Sequence, residues 1–399
     1  MEKNLYTAAQ ALQGELTENR RWLHAHAEVG FKVNETKSFI KEKLEEMGYT
    51  PQDCGKAGVL ATLVGKNQQK AVLLRADMDA LPMKEQTGLP FACKNGHMHA
   101  CGHDLHAAML LGAARLLKER EKELPFSVKL LFQPAEEILQ GASDCLQTGI
   151  LEKPSVCAAL TVHVTTGVPL PMGTVIVPAE GVGAPAADYF KVEMKGKACH
   201  GSAPQNGVDA LTAAAHTLIA LHEIQARELS SSTPAVLSVG TMQVGNAGNA
   251  IADYAVMEGT LRAFDEEVRN TLKKRVQEIA QGIAKTFRAK AKISFSGGCP
   301  TLVNDREICT ILQKCTGQVL DERHVLSVSE LGREVKNRSG GSEDFAYISQ
   351  KVPSAMMAIA AGEPKEGFSY PLHHPKVDFD ERALPVGAAV FAAFALYGL

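Results

Sequence analysis

The chain has 399 residues, 45% of them hydrophobic and 22% charged, and a formal net charge of −3. That length exceeds one ordinary core and predicts two domains, while the charge excludes the broad basic surface that a nucleic-acid partner needs. Nine scattered cysteines predict reduced thiols. Met1 to Leu5 lack the apolar core of an export signal, and no apolar run approaches the ~20 residues that span a bilayer. A cytoplasmic protein with no membrane partner is therefore expected.

In chain order, a helical pattern covers residues 7–29, with Leu12, Leu16, Trp22 and Leu23 on its apolar face. It closes at His24 and His26, which serve to place the helix end. Asn34 to Met47 predicts a second helix stopped by Gly48. Gly58–Gly65 is a short strand, and Ala71–Ala76 is an apolar run of the buried-strand type, followed at once by Asp77 and Asp79.

The stretch His97-Met98-His99-Ala100-Cys101-Gly102-His103-Asp104-Leu105-His106 concentrates four of the 13 histidines with a cysteine and an aspartate. Such donors suit zinc, cobalt and related ions. Cys101 and His103, two apart, cannot share a helix face but can share one side of a loop. Asp104 is placed as the N-cap of a helix running to about Lys122. A Cys–His nucleophilic pair is the rival chemistry, disfavoured because residues this close on a loop rarely form a good thiol–imidazole hydrogen bond.

Further strands are expected over Val128–Gln133, which runs into Glu136 and Glu137, and over Val156–Val162, with His163 at its end. A short helix over Ser143–Gly149 lies between them. Asp77 and Asp79, Glu136 and Glu137, and His163 each follow the carboxyl end of a separate strand, the edge on which open α/β sheets build their sites. From Ala187 to Ser296 the order becomes β-α-β-β-α-β, a ferredoxin-like insertion between two Gly-rich joints, 181–185 and 297–300. Beyond it come helices over Glu307–Leu320 and Leu384–Leu396 and a strand over Ser354–Ala360. Another helix opens at Gly340-Gly341-Ser342-Glu343-Asp344, where the Ser–Glu–Asp cluster serves as its cap. His373 and His374 lie in the loop before the last helix.

These parts suffice for a hydrolytic pair of metals about 3.5–4 Å apart. Cys101, His103, Glu137, His163 and one of His373 or His374 would be the ligands. Glu136, beside a ligand, would be the general base. His200, in Lys197-Ala198-Cys199-His200-Gly201-Ser202, would stabilise an oxyanion, and the inserted domain would close over the site.

The segments HACGHDLHAAMLLGAARLL (99–117), LRADMDALPM (74–83), LLFQPAEE (130–137), GKACHGSAPQNGVDAL (196–211), NAIADYAVMEGTLR (249–262) and GGSEDFA (340–346) together resemble the metal-dependent amidohydrolases of the aminoacylase and carboxypeptidase type. Hippurate hydrolases, auxin-conjugate hydrolases and N-acetyl-diaminopimelate deacetylases are among them. The resemblance implies an α/β fold. A central mixed sheet flanked by helices forms a metal-binding catalytic domain (1–184 and 297–399), and the ferredoxin-like insertion (185–296) acts as lid and dimerisation domain. It implies two divalent ions (Zn, Mn or Co) held by Cys101, His103, Glu137, His163 and His373, with Cys101 bridging. Glu136 is the implied base, and Asp79 lies behind the ligands and orients them; His200, Asn249 and Arg262 contact substrate. The implied substrate is a small N-acyl amino acid and the assembly a homodimer. The alternatives are a dipeptidase or carboxypeptidase and a catalytically silent binding protein of the same fold.

Overall fold

A computed structural model describes residues 3–321, 324–331 and 341–399. The chain divides into two compact units: one holds the residues up to Gly183, Val303 onward and Asp344–Leu399, and the other holds Ala184–Leu302 with a short segment ending at Glu343.

The first unit is built on an eight-stranded mixed sheet. Its centre is the parallel set Phe126–Gln133, Asn67–Asp77, Ser155–Thr165 and Ser354–Ala360. These strands are almost wholly buried where they pair, which is why they read as unbroken apolar runs rather than alternating ones. Parallel pairing puts their carboxyl ends on one edge, with Asp77 opposite Gln133. Antiparallel strands Gly58–Leu63 and Gln52–Cys54 extend the sheet on one side.

Helix His103–Glu119 packs on the final helix Leu384–Tyr397 and on Gln13–Ala25. The final helix is buried from Leu384 through Leu396, so it shows no amphipathic stripe. Two glycines permit the close approach. A Cβ on Gly112 would lie 2.6 Å from Leu16 Cδ2 and 3.0 Å from Ala388 Cβ, and one on Gly387 would lie 2.2 Å from Met109 Sδ.

Several boundaries differ from the sequence expectation. The 7–29 pattern is two helices, Lys3–Ala11 and Gln13–Ala25. His163 lies inside its strand, which continues to Thr165. Asp104 is not an N-cap: Gly102, at φ 85°, occupies that position, and Asp104 lies within the first turn, fully buried. The Ser342-Glu343-Asp344 cluster does not cap the next helix, which is only Ala346–Ser349 with no side-chain cap; Gly340 lies outside the described residues.

The second unit is a four-stranded antiparallel sheet carrying two helices, Ala210–Glu223 and Glu266–Thr286. In chain order its strands are Ala186–Lys195, Ala235–Val244, Tyr254–Ala263 and Lys290–Cys299, and the first and third are central. This is the ferredoxin-like arrangement. Its own core includes Phe190, Val192, Met257, Leu272 and Val276. Gly297 and Gly298, expected in a flexible joint, instead form a bulge within the last strand, which pairs on to Ala187; glycine there permits the positive φ of 115° at Gly298.

Gly112→Val should lower the stability of the protein by about 1–3 kcal/mol, because the added methyls have no space at the helix crossing. Urea unfolding of variant and wild type at equal m-value checks it.

Candidate metal and active site

Four segments deliver donors to the carboxyl edge of the parallel strands. Cys101 and His103 flank Gly102, whose left-handed turn swings the chain so that both side chains face the edge; a Cβ on Gly102 would strike Val164 at 2.4 Å. Cys101, His103 and His163 place ligand atoms within 4.8 Å of one another, as do Cys101, Glu137 and His373, and His103, Glu136 and Glu137. The Cys101 sulfur lies 3.5 Å from His163 Nε2 and 3.3 Å from His373 Nε2. Cys101 thus stands between two imidazoles from well-separated segments of the chain. His373 Nε2 is 3.6 Å from Glu137 Oε1, and His103 Nε2 is 3.9 Å from the same oxygen.

The tautomers are set by the backbone. His103 Nδ1–H donates to the Asp79 carbonyl at 2.8 Å, and His163 Nδ1–H donates to the Val164 carbonyl at 2.7 Å. Each ring therefore turns Nε2 into the cluster, the nitrogen that can bind a metal once it is free of its proton. His103 Nε2 and Glu137 Oε1 are buried without a hydrogen-bond partner. Buried polar atoms are rarely left this way unless another group satisfies them, and the S, N and O donors here suit a divalent ion.

Burial pushes the Cys101 thiol up to about 12, the Glu137 carboxyl up to about 7 and the His163 imidazole down to about 3. Burial also opposes the charged form of His103, but the Asp77 carboxylate outweighs it and raises that ring well above its ordinary value. The structure favours His373 over His374 as the cluster's histidine. His374 stacks on Tyr370 at 4.3 Å and its Nδ1 accepts the Lys376 N–H. His97 and His99 stand outside the cluster, so the density of the motif overstates the number of donors: His97 Nδ1 meets the Ala27 carbonyl, and His99 is buried with its pKa pushed by burial down to about 3.

The glutamates sit on a tight loop. The Asp79 carboxylate accepts the backbone N–H of Glu136 at 3.0 Å and of Glu137 at 3.4 Å. Leu139 N–H donates back to the Glu136 carbonyl at 2.7 Å. Ala135 and Leu139 take left-handed φ of 59° and 55°, and His373 takes 64°. Each costs of order 1 kcal/mol and persists only where the surroundings over-determine it.

Behind the cluster lies a buried polar network that the sequence reading missed. Arg75, fully buried, donates through Nη1 to Asp77 Oδ2 at 2.7 Å, through Nη2 to Asp344 Oδ1 at 3.0 Å and through Nε to Gln133 Oε1 at 3.0 Å. Asp77 Oδ1 accepts His106 Nδ1–H at 2.6 Å, and His106 Nε2 accepts the Val164 N–H at 2.8 Å. Both nitrogens of His106 are thereby occupied, which makes it a brace. Burial would raise the Asp77 carboxyl, yet the charges of His103 and Arg75 hold it well below the usual range. A second brace ties helix Gln13–Ala25 to helix His103–Glu119: Asp104 Oδ2 accepts Arg20 Nε and His24 Nδ1, both at 2.8 Å. The signal for Arg75 was charge inside an apolar run.

The remaining expected residues belong to the second unit. His200 is exposed on a short strand paired with Ala250. Its Nδ1 accepts the Ser202 N–H at 3.2 Å, so its Nε2 carries the proton. Asn249 is exposed and its carbonyl accepts the Gly201 N–H at 2.7 Å. Arg262 donates to Ser342 Oγ at 2.6 Å and lies over the Tyr189 ring at 5.9 Å.

Residues 73–397 match the model of peptidase family M20/M25/M40. An N-acetyl-L-cysteine deacetylase of Bacillus subtilis is 38% identical over 94% of this chain and 85% of its own. The hippurate hydrolase of Campylobacter jejuni is 31% identical over 98% and 99%. The crystal structure of the Bacillus subtilis YXEP protein, described as a dinuclear metal binding peptidase of the M20 family, superposes with a TM-score of 0.79 at 33% identity, covering 97% of this chain and 98% of that one. The chain belongs to peptidase family M20/M25/M40. It is a metal-dependent amidohydrolase with the mixed α/β fold of that family.

Arg75→Met would leave Asp77 and Asp344 buried without their shared cation. It should cost about 3–5 kcal/mol, read as a drop in the urea midpoint; a change under 1 kcal/mol would show that the network is not under this charge constraint.

Proposed function

We propose that the protein hydrolyses the amide of N-acyl amino acids, releasing a carboxylate and a free amino acid. Cys101, His103, Glu137, His163 and His373 would hold two divalent ions, and Glu136 would act as general base. The observation that carries this reading is the pair of inward-facing Nε2 atoms, from His103 and His163, around the Cys101 sulfur, with the Glu136 carboxylate within 4.8 Å of His103 and Glu137 donor atoms. The relatives named as a deacetylase of N-acetyl-L-cysteine and a hippurate hydrolase support the substrate class. When bound, the ions supply Lewis acidity and lower the pKa of a coordinated water.

The chain's own residues do the rest. Asp79 fixes the Glu136 and Glu137 backbone, so the Glu136 carboxylate stays beside the donors. Glu136 takes a proton from the attacking water and passes it to the leaving nitrogen. His200 Nε2–H, exposed on the inserted unit, is the donor for the developing oxyanion. Arg262 is suited to a substrate carboxylate through its guanidinium fork, and Asn249 completes the substrate contacts.

Glu136→Gln should retain the full metal content while kcat falls by about 10²–10⁴. The assay uses a panel of N-acetyl and N-benzoyl amino acids, with dipeptides as the carboxypeptidase arm. A chelator should abolish wild-type turnover, and readdition of Zn, Mn or Co should restore it. Undiminished turnover in Glu136→Gln would remove that residue from its role, and cleavage confined to dipeptides would replace the substrate class.

A homodimer through the inserted unit belongs to the same reading. Leu211 and Ile219, 45% and 69% exposed on its first helix, are the apolar surface such a contact would cover. Sedimentation velocity at micromolar concentration should give about twice the chain mass, and a monomer there would remove this part.

A further inference from the structure

The Pro134–Gly141 loop carries both glutamates through an unfavourable course. Two of its residues, Ala135 and Leu139, hold left-handed φ without being glycine. Its last residue has no room for a side chain, since a Cβ on Gly141 would lie 1.6 Å from the Pro134 carbonyl oxygen. Such a path relaxes unless both ends are pinned. Asp79 pins the middle, through the Glu136 and Glu137 amides. The two ends are pinned by one residue far along the chain.

Asp344 Oδ1 accepts Gln133 Nε2–H at 2.7 Å, at the strand end that feeds the loop. Asp344 Oδ2 accepts the Ala142 N–H at 2.9 Å, where the loop enters its short helix. Asp344 is itself fully buried and held by Arg75 Nη2 at 3.0 Å. The next residue, Phe345, is buried with the Arg75 guanidinium 5.9 Å over its ring. An Asp344 carboxylate oxygen lies within 4.8 Å of one from Glu136.

We propose that Asp344 is a positioning residue of this enzyme: it clamps the entry and exit of the Pro134–Gly141 loop and so holds the Glu136 carboxylate where it works. Its effect on turnover rests on Glu136 being the base, whereas the clamp itself stands on the hydrogen bonds alone. Asp344 comes from a motif that reads by itself as a helix cap. The side chain is spent on a different element, 202 residues away in sequence.

The test uses the full chain with Asp344→Ala and Asp344→Asn. Asparagine keeps the volume and an acceptor toward Arg75 or Gln133. It cannot accept from all three donors with a single oxygen, so the clamp is weakened without a cavity. Amide hydrogen exchange is first measured on protein stripped of metal by chelation. The amides of Leu139, Gly141 and Ala142 should exchange at least tenfold faster in both variants, with the Tyr254–Ala263 strand unchanged. After reloading with Mn²⁺, kcat on an N-acetyl amino acid cleaved by the wild type should fall at least tenfold per metal-loaded molecule, with KM within threefold and metal stoichiometry unaltered.

Unaltered exchange over 134–142 overturns the clamp, as does acceleration spread evenly over the whole molecule. Faster loop exchange with an unchanged kcat overturns the positioning role. If Asp344→Ala does not fold, Asp344→Asn carries the same measurements. If the wild type cleaves no N-acyl amino acid, the functional reading fails separately, and loop exchange still decides the clamp.

Discussion

A thiol, three imidazoles and two carboxylates gathered at the end of a sheet stand together only if their lone pairs are aimed and the charge behind them is balanced. Desolvation works against every ionised member. The balance here comes from Arg75, one cation seated beneath the donors and shared by Asp77, Gln133 and Asp344. Asp77 passes the constraint on to His106, whose far nitrogen takes the Val164 amide next to His163. The aiming comes from backbone carbonyls at Asp79 and Val164, which take the Nδ1 protons and leave Nε2 facing inward. Parallel pairing of the central strands makes both possible, because it ends Asp77, Gln133 and the His163 strand on one edge.

Rigidity is distributed unevenly around this edge. His103 begins a long helix packed on a wholly buried partner helix, so its position is set by the core. Glu136 and Glu137 lie instead on a loop with strained backbone, and His373 takes a left-handed φ on a half-exposed turn. These weaker supports are compensated by hydrogen bonds from distant segments: Asp79 to the two glutamate amides, and His373 N–H to the Ala100 carbonyl at 2.9 Å. Strain concentrated where donors must converge is the usual cost of precise placement.

Much of the fold was legible. The continuous apolar runs at 71–76, 128–133 and 156–162 could only be strands buried on both faces, and the alternating pattern after Ala187 marked a separate unit with its own order of elements. Cys, His and Glu at the ends of separate strands marked one edge of the sheet as the place to look for a site. What escaped was everything that depends on partners remote in sequence. Arg75 looked like an interruption of an apolar run, Asp104 like a cap, and Ser342-Glu343-Asp344 like the start of a helix. In the fold, Arg75 becomes the hub of the network, Asp104 binds Arg20 and His24, and Asp344 binds Gln133 and Ala142.

The amino-acid sequence by itself determined the family and the α/β fold class, because these reside in residue type and local period. Only the tertiary structure decided that His373 rather than His374 reaches Cys101, that both inward histidines present Nε2, and that Asp344 supports the glutamate loop. Those outcomes are set by distances between segments up to some 270 residues apart. A side chain's local pattern shows what chemistry it can do, whereas its partners are chosen by how the whole chain packs.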